Sequence, residues 1–192
     1  MAKVLLYLHG FQSSPSSLKV QQTKSYISLH QPDIKVIAPQ LPCLPKNMWS
    51  VIYDVFTQYK NDDIAVMGSS LGGFLATKVV NEYDVNAVVI NPMVGAFHLL
   101  EEYAGEHIHP YLNETYCIGK NYLRQLEHLL TDDIKYPTKI WALVQKGDEV
   151  LDYRQAMQKY QHCKISCEEG GEHSFIGFER HLSDIMHFLF PS

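Results

Sequence analysis

Six short apolar runs punctuate this chain: Lys3–Leu8, Ile34–Ala38, Ile64–Met67, Ala87–Ile90, Lys139–Val144 and Lys164–Cys167. They are rich in Val, Ile and Leu. Several are apolar at consecutive positions, as strands buried on both faces of a parallel sheet must be. Between them apolar residues return at helical spacing. Ser17–Leu29 carries Leu18, Tyr26 and Leu29; Trp49–Tyr59 carries Val51, Ile52, Val55 and Phe56. Leu71–Val80, Tyr153–Tyr160 and Phe178–Phe188 continue the rhythm, the last with Leu182, Ile185, Met186 and Leu189 on one stripe. Asp152 with Gln155 reads as a capping box, and the serines of 13–17 as caps for the helix that follows.

Strand then helix, repeated, predicts an α/β fold: a compact six-stranded parallel sheet with helices on both faces. One segment breaks the rhythm. Residues 93–138 separate two strands by far more than one crossover, with helices expected at Phe97–Glu102 and Lys120–Leu130 and a loop at Gly105–Tyr111. We expect a single domain, 1–192, with 93–138 as a helical excursion that caps the active-site edge.

In such sheets chemistry gathers beyond the carboxyl ends of the strands. The suggestive residues do follow strands: His9-Gly10, Gly68–Ser70, Asn91-Pro92, Gly147-Asp148 and His173. The sharpest is Gly68-Ser69-Ser70-Leu71-Gly72, a G-x-S-x-G turn between an expected strand and an expected helix. Such an elbow exposes a serine hydroxyl and makes Ser70 the candidate nucleophile.

A serine hydroxyl needs a base. Of ten histidines, His173 alone sits in a glycine-flanked loop after the last strand; His98, His107 and His109 lie in the excursion. The base needs an acid to fix its tautomer, and Asp148 follows the fifth strand. Glu149 should point to solvent. The order Ser70, Asp148, His173 is that of α/β-hydrolases. An oxyanion needs donors. The Leu71 N–H is one, and the loop after the first strand supplies the other, Phe11 by preference over Gln12 or Ser13. Gly10, Leu41, Met48, Trp49, Met93 and Phe97 are the candidate pocket residues. His107 and His109 lack a convincing third ligand, so neither a metal nor another cofactor is expected.

Composition narrows the picture further. The net charge of -5 and the scattered basic residues argue against a nucleic-acid surface. No apolar stretch approaches the roughly 18 residues that cross a membrane. Cys43, Cys117, Cys163 and Cys167 form no disulfide-rich pattern, and Met1–Gly10 reads as a buried first strand and not as a signal peptide, so the cytoplasm is the expected compartment. A monomer or weak homodimer is expected.

The motifs Tyr7-Leu8-His9-Gly10-Phe11, Pro39-Gln40-Leu41-Pro42, Gly68–Gly73, Val89-Ile90-Asn91-Pro92, Gly147–Ala156 and Gly170–Glu179 resemble the YqiA-like family of small bacterial esterases, within the α/β-hydrolase superfamily. The resemblance runs in order over nearly the whole chain. It implies a Ser70–His173–Asp148 triad that hydrolyses carboxylic esters in a Gram-negative cytoplasm. Acyl-thioesters such as acyl-CoA are an alternative substrate class. Glu172 stands where the family more usually has an uncharged residue. The small excursion points to a shallow pocket and short acyl chains. The contrasting reading is a non-catalytic binding protein on the same fold.

Overall fold

The computed structural model describes residues 1–95 and 97–191, without the side chains of His98 and Leu99. The side chain of the excursion histidine His98 therefore lies outside what is described. Six strands form one parallel sheet: β1 (Lys3–Leu8), β2 (Ile34–Ile37), β3 (Asp63–Ser69), β4 (Ala87–Ile90), β7 (Ile140–Gln145) and β8 (Lys164–Glu168). Their spatial order is β2-β1-β3-β4-β7-β8. The four central strands are apolar and almost wholly buried, whereas β2 and β8 are half-buried at the edges. That gradient is why the central strands lack the polar alternation of a one-sided sheet.

Alternate residues of each central strand feed two separate cores. Leu5, Tyr7, Ala65, Met67, Val88, Ile90 and Leu143 pack under α1 (Leu18–His30) and α7 (Leu182–Leu189). Val4, Leu6, Leu8, Val66, Val89 and Val144 pack under α2 (Pro45–Gln58), α3 (Leu71–Tyr83) and α6 (Tyr153–Lys159). The α7 stripe of Leu182, Ile185, Met186 and Leu189 is buried as its spacing predicts. The α1 stripe is not the expected one. Val20, Thr23 and Ile27 face the sheet, and Leu18 and Leu29 are exposed. Thr23 tolerates burial because its hydroxyl donates to the Lys19 carbonyl at 2.7 Å.

Two caps also differ in detail. Asp152 does cap α6, but its carboxylate accepts from the Arg154 N–H at 3.0 Å, one residue short of a capping box. Ser17 occupies the N-cap position of α1 with no side-chain bond to the helix, while Ser14 Oγ accepts from Ser16 N at 3.2 Å.

The excursion is not purely helical. Between α4 (Phe97–Glu101) and α5 (Lys120–Glu127) the chain forms an antiparallel hairpin, β5 (Gly105–Ile108) with β6 (Thr115–Ile118), where a loop was expected. Thr115-Tyr116-Cys117-Ile118 carries the cause. Its residues alternate exposed and buried, and Tyr116 and Ile118 join the core beneath α2 together with Tyr122 and Leu126.

The strand order reverses at β1, so a crevice opens beyond β1 and β3. His9, buried at the end of β1, ties its two walls together. Nε2 receives the Leu41 N–H at 3.0 Å and lies 3.3 Å from the Gln40 amide nitrogen. Two donors on one nitrogen leave the proton on Nδ1, which donates to the Gly10 carbonyl at 3.0 Å.

Burial holds the His9 imidazole below its ordinary value of 6.5, outweighing the bond to the Gly10 carbonyl, and the neighbouring His109 imidazole pushes the same way as burial. The unfolded chain therefore takes up a proton at His9 before the folded one does. Stability is full above pH 6.5 and falls as the pH drops through the lowered folded value. Urea unfolding between pH 7.5 and 5 should show this loss, with a shallower slope in His9→Gln; equal slopes would refute the neutral latch.

Candidate active site

Strand β3 ends at Ser69, and α3 starts at Leu71, leaving Ser70 alone to make the turn. It does so at φ 54°, ψ −120°, a backbone state that costs a non-glycine residue about 1–3 kcal/mol. Surrounding bonds hold it there. Ser70 N donates to the Ile90 carbonyl at 3.0 Å, and the Ser70 carbonyl accepts from Gly73 at 2.9 Å and Met93 at 3.1 Å. The turn is possible only because two side chains are missing. A Cβ at Gly68 would sit 2.1 Å from the Gly72 carbonyl oxygen, and one at Gly72 would sit 2.0 Å from that of Leu8.

The Ser70 hydroxyl meets His173 Nε2 at 3.1 Å. His173 Nδ1 in turn lies 2.9 Å and 2.8 Å from the two carboxylate oxygens of Asp148. The Asp148 side chain is only 2 % exposed, and its Oδ1 also accepts the Val150 and Leu151 N–H groups at 2.9 Å and 2.8 Å. An acceptor so placed fixes the proton of neutral His173 on Nδ1. Nε2 is then bare and faces the serine proton.

His173 rides on an irregular loop, yet the loop is held at nearly every polar position. Asn91 Nδ2 donates to the carbonyls of Glu172 at 3.0 Å and His173 at 3.2 Å, while its Oδ1 accepts from Gln145 N at 2.9 Å. Gln145 Oε1 accepts from Glu172 N at 3.2 Å and Ile176 N at 2.9 Å. Its Nε2 donates to the Ile176 carbonyl at 2.9 Å and to Glu168 at 2.8 Å. Both amides are buried. Glu149 is exposed as expected, yet its carboxylate also accepts the His173 N–H at 2.9 Å. Lys19 Nζ donates to the Ser174 carbonyl at 2.7 Å, and Glu172 engages the Ser174 hydroxyl. Asn91 was visible in the sequence only as a residue after a strand. Gln145 gave no signal beyond being a polar residue at the end of an apolar run.

The loop after β1 closes the other side. A Cβ on Gly10 would stand in van der Waals contact with Ser70 Cβ at 3.4 Å, so this turn lies beside the serine. Leu71 N is the first of the helix N–H groups that no earlier helical carbonyl can reach. Leu71 and Phe11 both line the cleft around Ser70. Gln12, at φ 49°, donates through Nε2 to the Tyr116 hydroxyl at 2.8 Å and so joins this turn to the hairpin.

The cleft has a volume of about 830 Å³. Among the expected pocket residues, Gly10 and Met93 line it; Leu41, Met48, Trp49 and Phe97 do not. Leu41 and Met48 are buried beneath the turn, around a small void shared with His9 and Tyr116. Trp49 lies between Tyr83 and Lys78, with its ring 6.5 Å from one and 5.1 Å from the ammonium of the other. Phe97 packs edge-on against Phe74 at 5.8 Å. The walls come instead from the start of α1 and the loops after β7 and β8, with Leu18, Val150 and Ile176 prominent. Leu18 was expected on the apolar stripe of α1 with Tyr26 and Leu29, but it is exposed and lines the cleft instead.

Sheet order, elbow and loop placement together define an α/β-hydrolase fold. Solved structures share it: Est1E from Butyrivibrio proteoclasticus, at 14% identity and TM-score 0.71 over 97% of this chain and 86% of that one, is similar throughout. So is mouse alpha/beta hydrolase domain-containing protein 10, at 12% identity and TM-score 0.74 over 99% and 92% of the two chains. The esterase domain of a Rhodothermus marinus protein matches with 15% identity and TM-score 0.65, covering 94% of this chain and 82% of that chain. Within this fold the profile of "Uncharacterised protein family (UPF0227)" matches residues 4–190, and the chain belongs to that family, the YqiA family of the motif resemblance.

Replacing Gln145 by leucine removes the partners of two loop N–H groups at once. Each buried orphan costs about 1–3 kcal/mol. Gln145→Leu should lower the urea-unfolding free energy by at least about 2 kcal/mol, and hydrogen exchange at residues 172–176 should accelerate. Unchanged exchange there would mean that the loop is ordered by other means.

Proposed function

We propose that this protein is a serine hydrolase of carboxylic esters that works through an acyl-enzyme. The observation that carries the reading is the unbroken line from Asp148 through His173 to the Ser70 hydroxyl, 2.8 Å and 3.1 Å in its two steps, at the floor of an open cleft. Esterases among the proteins that share the fold add support: the Rhodothermus marinus domain and the Pyrococcus furiosus esterase Pf2001 are named as such, and Est1E has been seen with ferulic acid bound.

In this mechanism His173 Nε2 takes the Ser70 proton as Oγ attacks the ester carbonyl. The resulting oxyanion rests on the N–H groups of Leu71 and Phe11, aided by the positive end of the 13-residue α3. His173, now an imidazolium held by Asp148, returns the proton to the departing alkoxide as the carbon–oxygen bond breaks. A water then gives one proton to His173 and attacks the acyl carbon, and Ser70 leaves as its alcohol with that proton. The buried Asp148 matters because it stabilises the imidazolium in both halves. Strain at Ser70 keeps Oγ forward of the sheet, so no rearrangement precedes attack.

Short acyl chains are the proposed substrates, and thioesters follow the same steps with a thiol leaving group. Four free cysteines suit a reducing compartment such as the cytoplasm.

Purified protein should hydrolyse short-chain esters and take up a fluorophosphonate at Ser70. Ser70→Ala should lower kcat by at least about 10⁴-fold, and Asp148→Asn by about 10³–10⁴-fold, with both variants folded. Parallel assays with acyl-CoA would divide ester from thioester turnover. Folded wild-type protein that cleaves neither and resists the probe would instead be a binding protein.

A further inference from the structure

Ten large hydrophobic side chains stand exposed among the described residues, and four of them, Leu18, Tyr103, Val150 and Ile176, line the one cleft that contains Ser70. Leu18 is 72 % exposed, Ile176 56 % and Val150 50 %. None of these three is needed by a core, so their burial is left to whatever enters the cleft.

Their position relative to His173 gives that wall a side. Val150 follows Asp148 by two residues, and Ile176 follows His173 by three. Leu18 joins them because α1 is bound to the same loop: Lys19 donates to the Ser174 carbonyl at 2.7 Å, and Gln22 donates to Glu179 at 3.1 Å. Met93 and Leu100 line the cleft from the excursion instead. The charged groups along the wall already have partners in the protein. Glu149 holds His173 N at 2.9 Å, Glu172 engages Ser174, and Glu179 and Lys19 are bound as just described. The three carboxylates among these engaged groups stay exposed to solvent, but most of the surface that the cleft offers a ligand is apolar.

We infer that Leu18, Val150 and Ile176 form a subsite for the apolar alcohol portion of the ester. The inference rests on the serine-hydrolase reading above. His173 protonates the leaving oxygen, so the group attached to that oxygen departs past the surfaces that flank His173. A bound alkyl chain there covers the three side chains; the acyl group lies on the other side of the scissile bond.

Two ester series test this. One lengthens the alcohol, from ethyl through butyl to hexyl acetate; the other lengthens the acid, from methyl acetate through butanoate to hexanoate. Each methylene that the wall takes from water is worth up to about fourfold in binding, so kcat/KM should climb at least tenfold across the alcohol series. In Leu18→Gln/Ile176→Gln that climb should flatten to about twofold, while the slope of the acid series stays. Both sites are exposed, and Leu18→Gln alone serves if the double variant does not fold. A flat alcohol series in the wild type, or equal losses of slope in both series, overturns the subsite. Failure to cleave any ester, together with no fluorophosphonate labelling of Ser70, overturns the hydrolase reading and the subsite with it.

Discussion

The close passage of backbone past backbone at the start of α3 governs this molecule. Gly68, Gly72 and the Leu8 carbonyl approach so nearly that no side chain fits among them. Only this approach lets β3 reverse into a helix within one residue. Ser70 is consequently forced forward, the helix N-terminus is aimed at the crevice, and the turn after β1 is laid against the serine. A looser junction would move each of these by the width of a methyl group. Hydrogen-bond geometry at the site tolerates far less.

The second organising fact is that the two sides of the crevice are held by side chains rather than by backbone ladders. His9 does this for the β1 and β2 ends, Asn91 and Gln145 for the β4 and β7 ends. Parallel strands stop at different heights, and the loops beyond them pair through backbone at only a few points, such as the Gly147 N–H with the Gly170 carbonyl at 2.7 Å. Buried amides and a neutral imidazole supply the missing partners. Because each is fully engaged, polarity is carried into the interior with its hydrogen bonds satisfied.

Much of this could be read from the chain. The six strands were legible because burial on both faces leaves continuous apolar runs, and the elbow because only glycine can flank it. Ser70, Asp148 and His173 were marked by falling just past strand ends in a chemically sensible order, and the structure brings their side chains together. The pocket was far less legible. Leu41, Met48, Trp49 and Phe97 were chosen for size and proximity in sequence, but large apolar residues near a site are mostly claimed by the core. The actual walls come from apolar residues that the core leaves exposed, such as Leu18, whose spacing had placed it on the expected buried stripe of α1. The hairpin in the excursion was obscured by short strands and a loop-like composition. The positioning amides were hidden because a lone Asn or Gln says nothing until its partners, 54 residues away in the case of Asn91 and Gln145, are known.

The bond between Gln12 and Tyr116 carries a different implication. It fastens the hairpin of the excursion to the turn after β1 that carries Phe11 and Gln12. A hairpin is the kind of segment in which length and composition ordinarily drift at little expense. Here its drift is leashed: any insertion that shifts the Tyr116 phenol drags on the turn that lies beside Ser70. The outer rim thus becomes a tuning handle, through which changes made at a distance adjust the geometry at the centre without touching it.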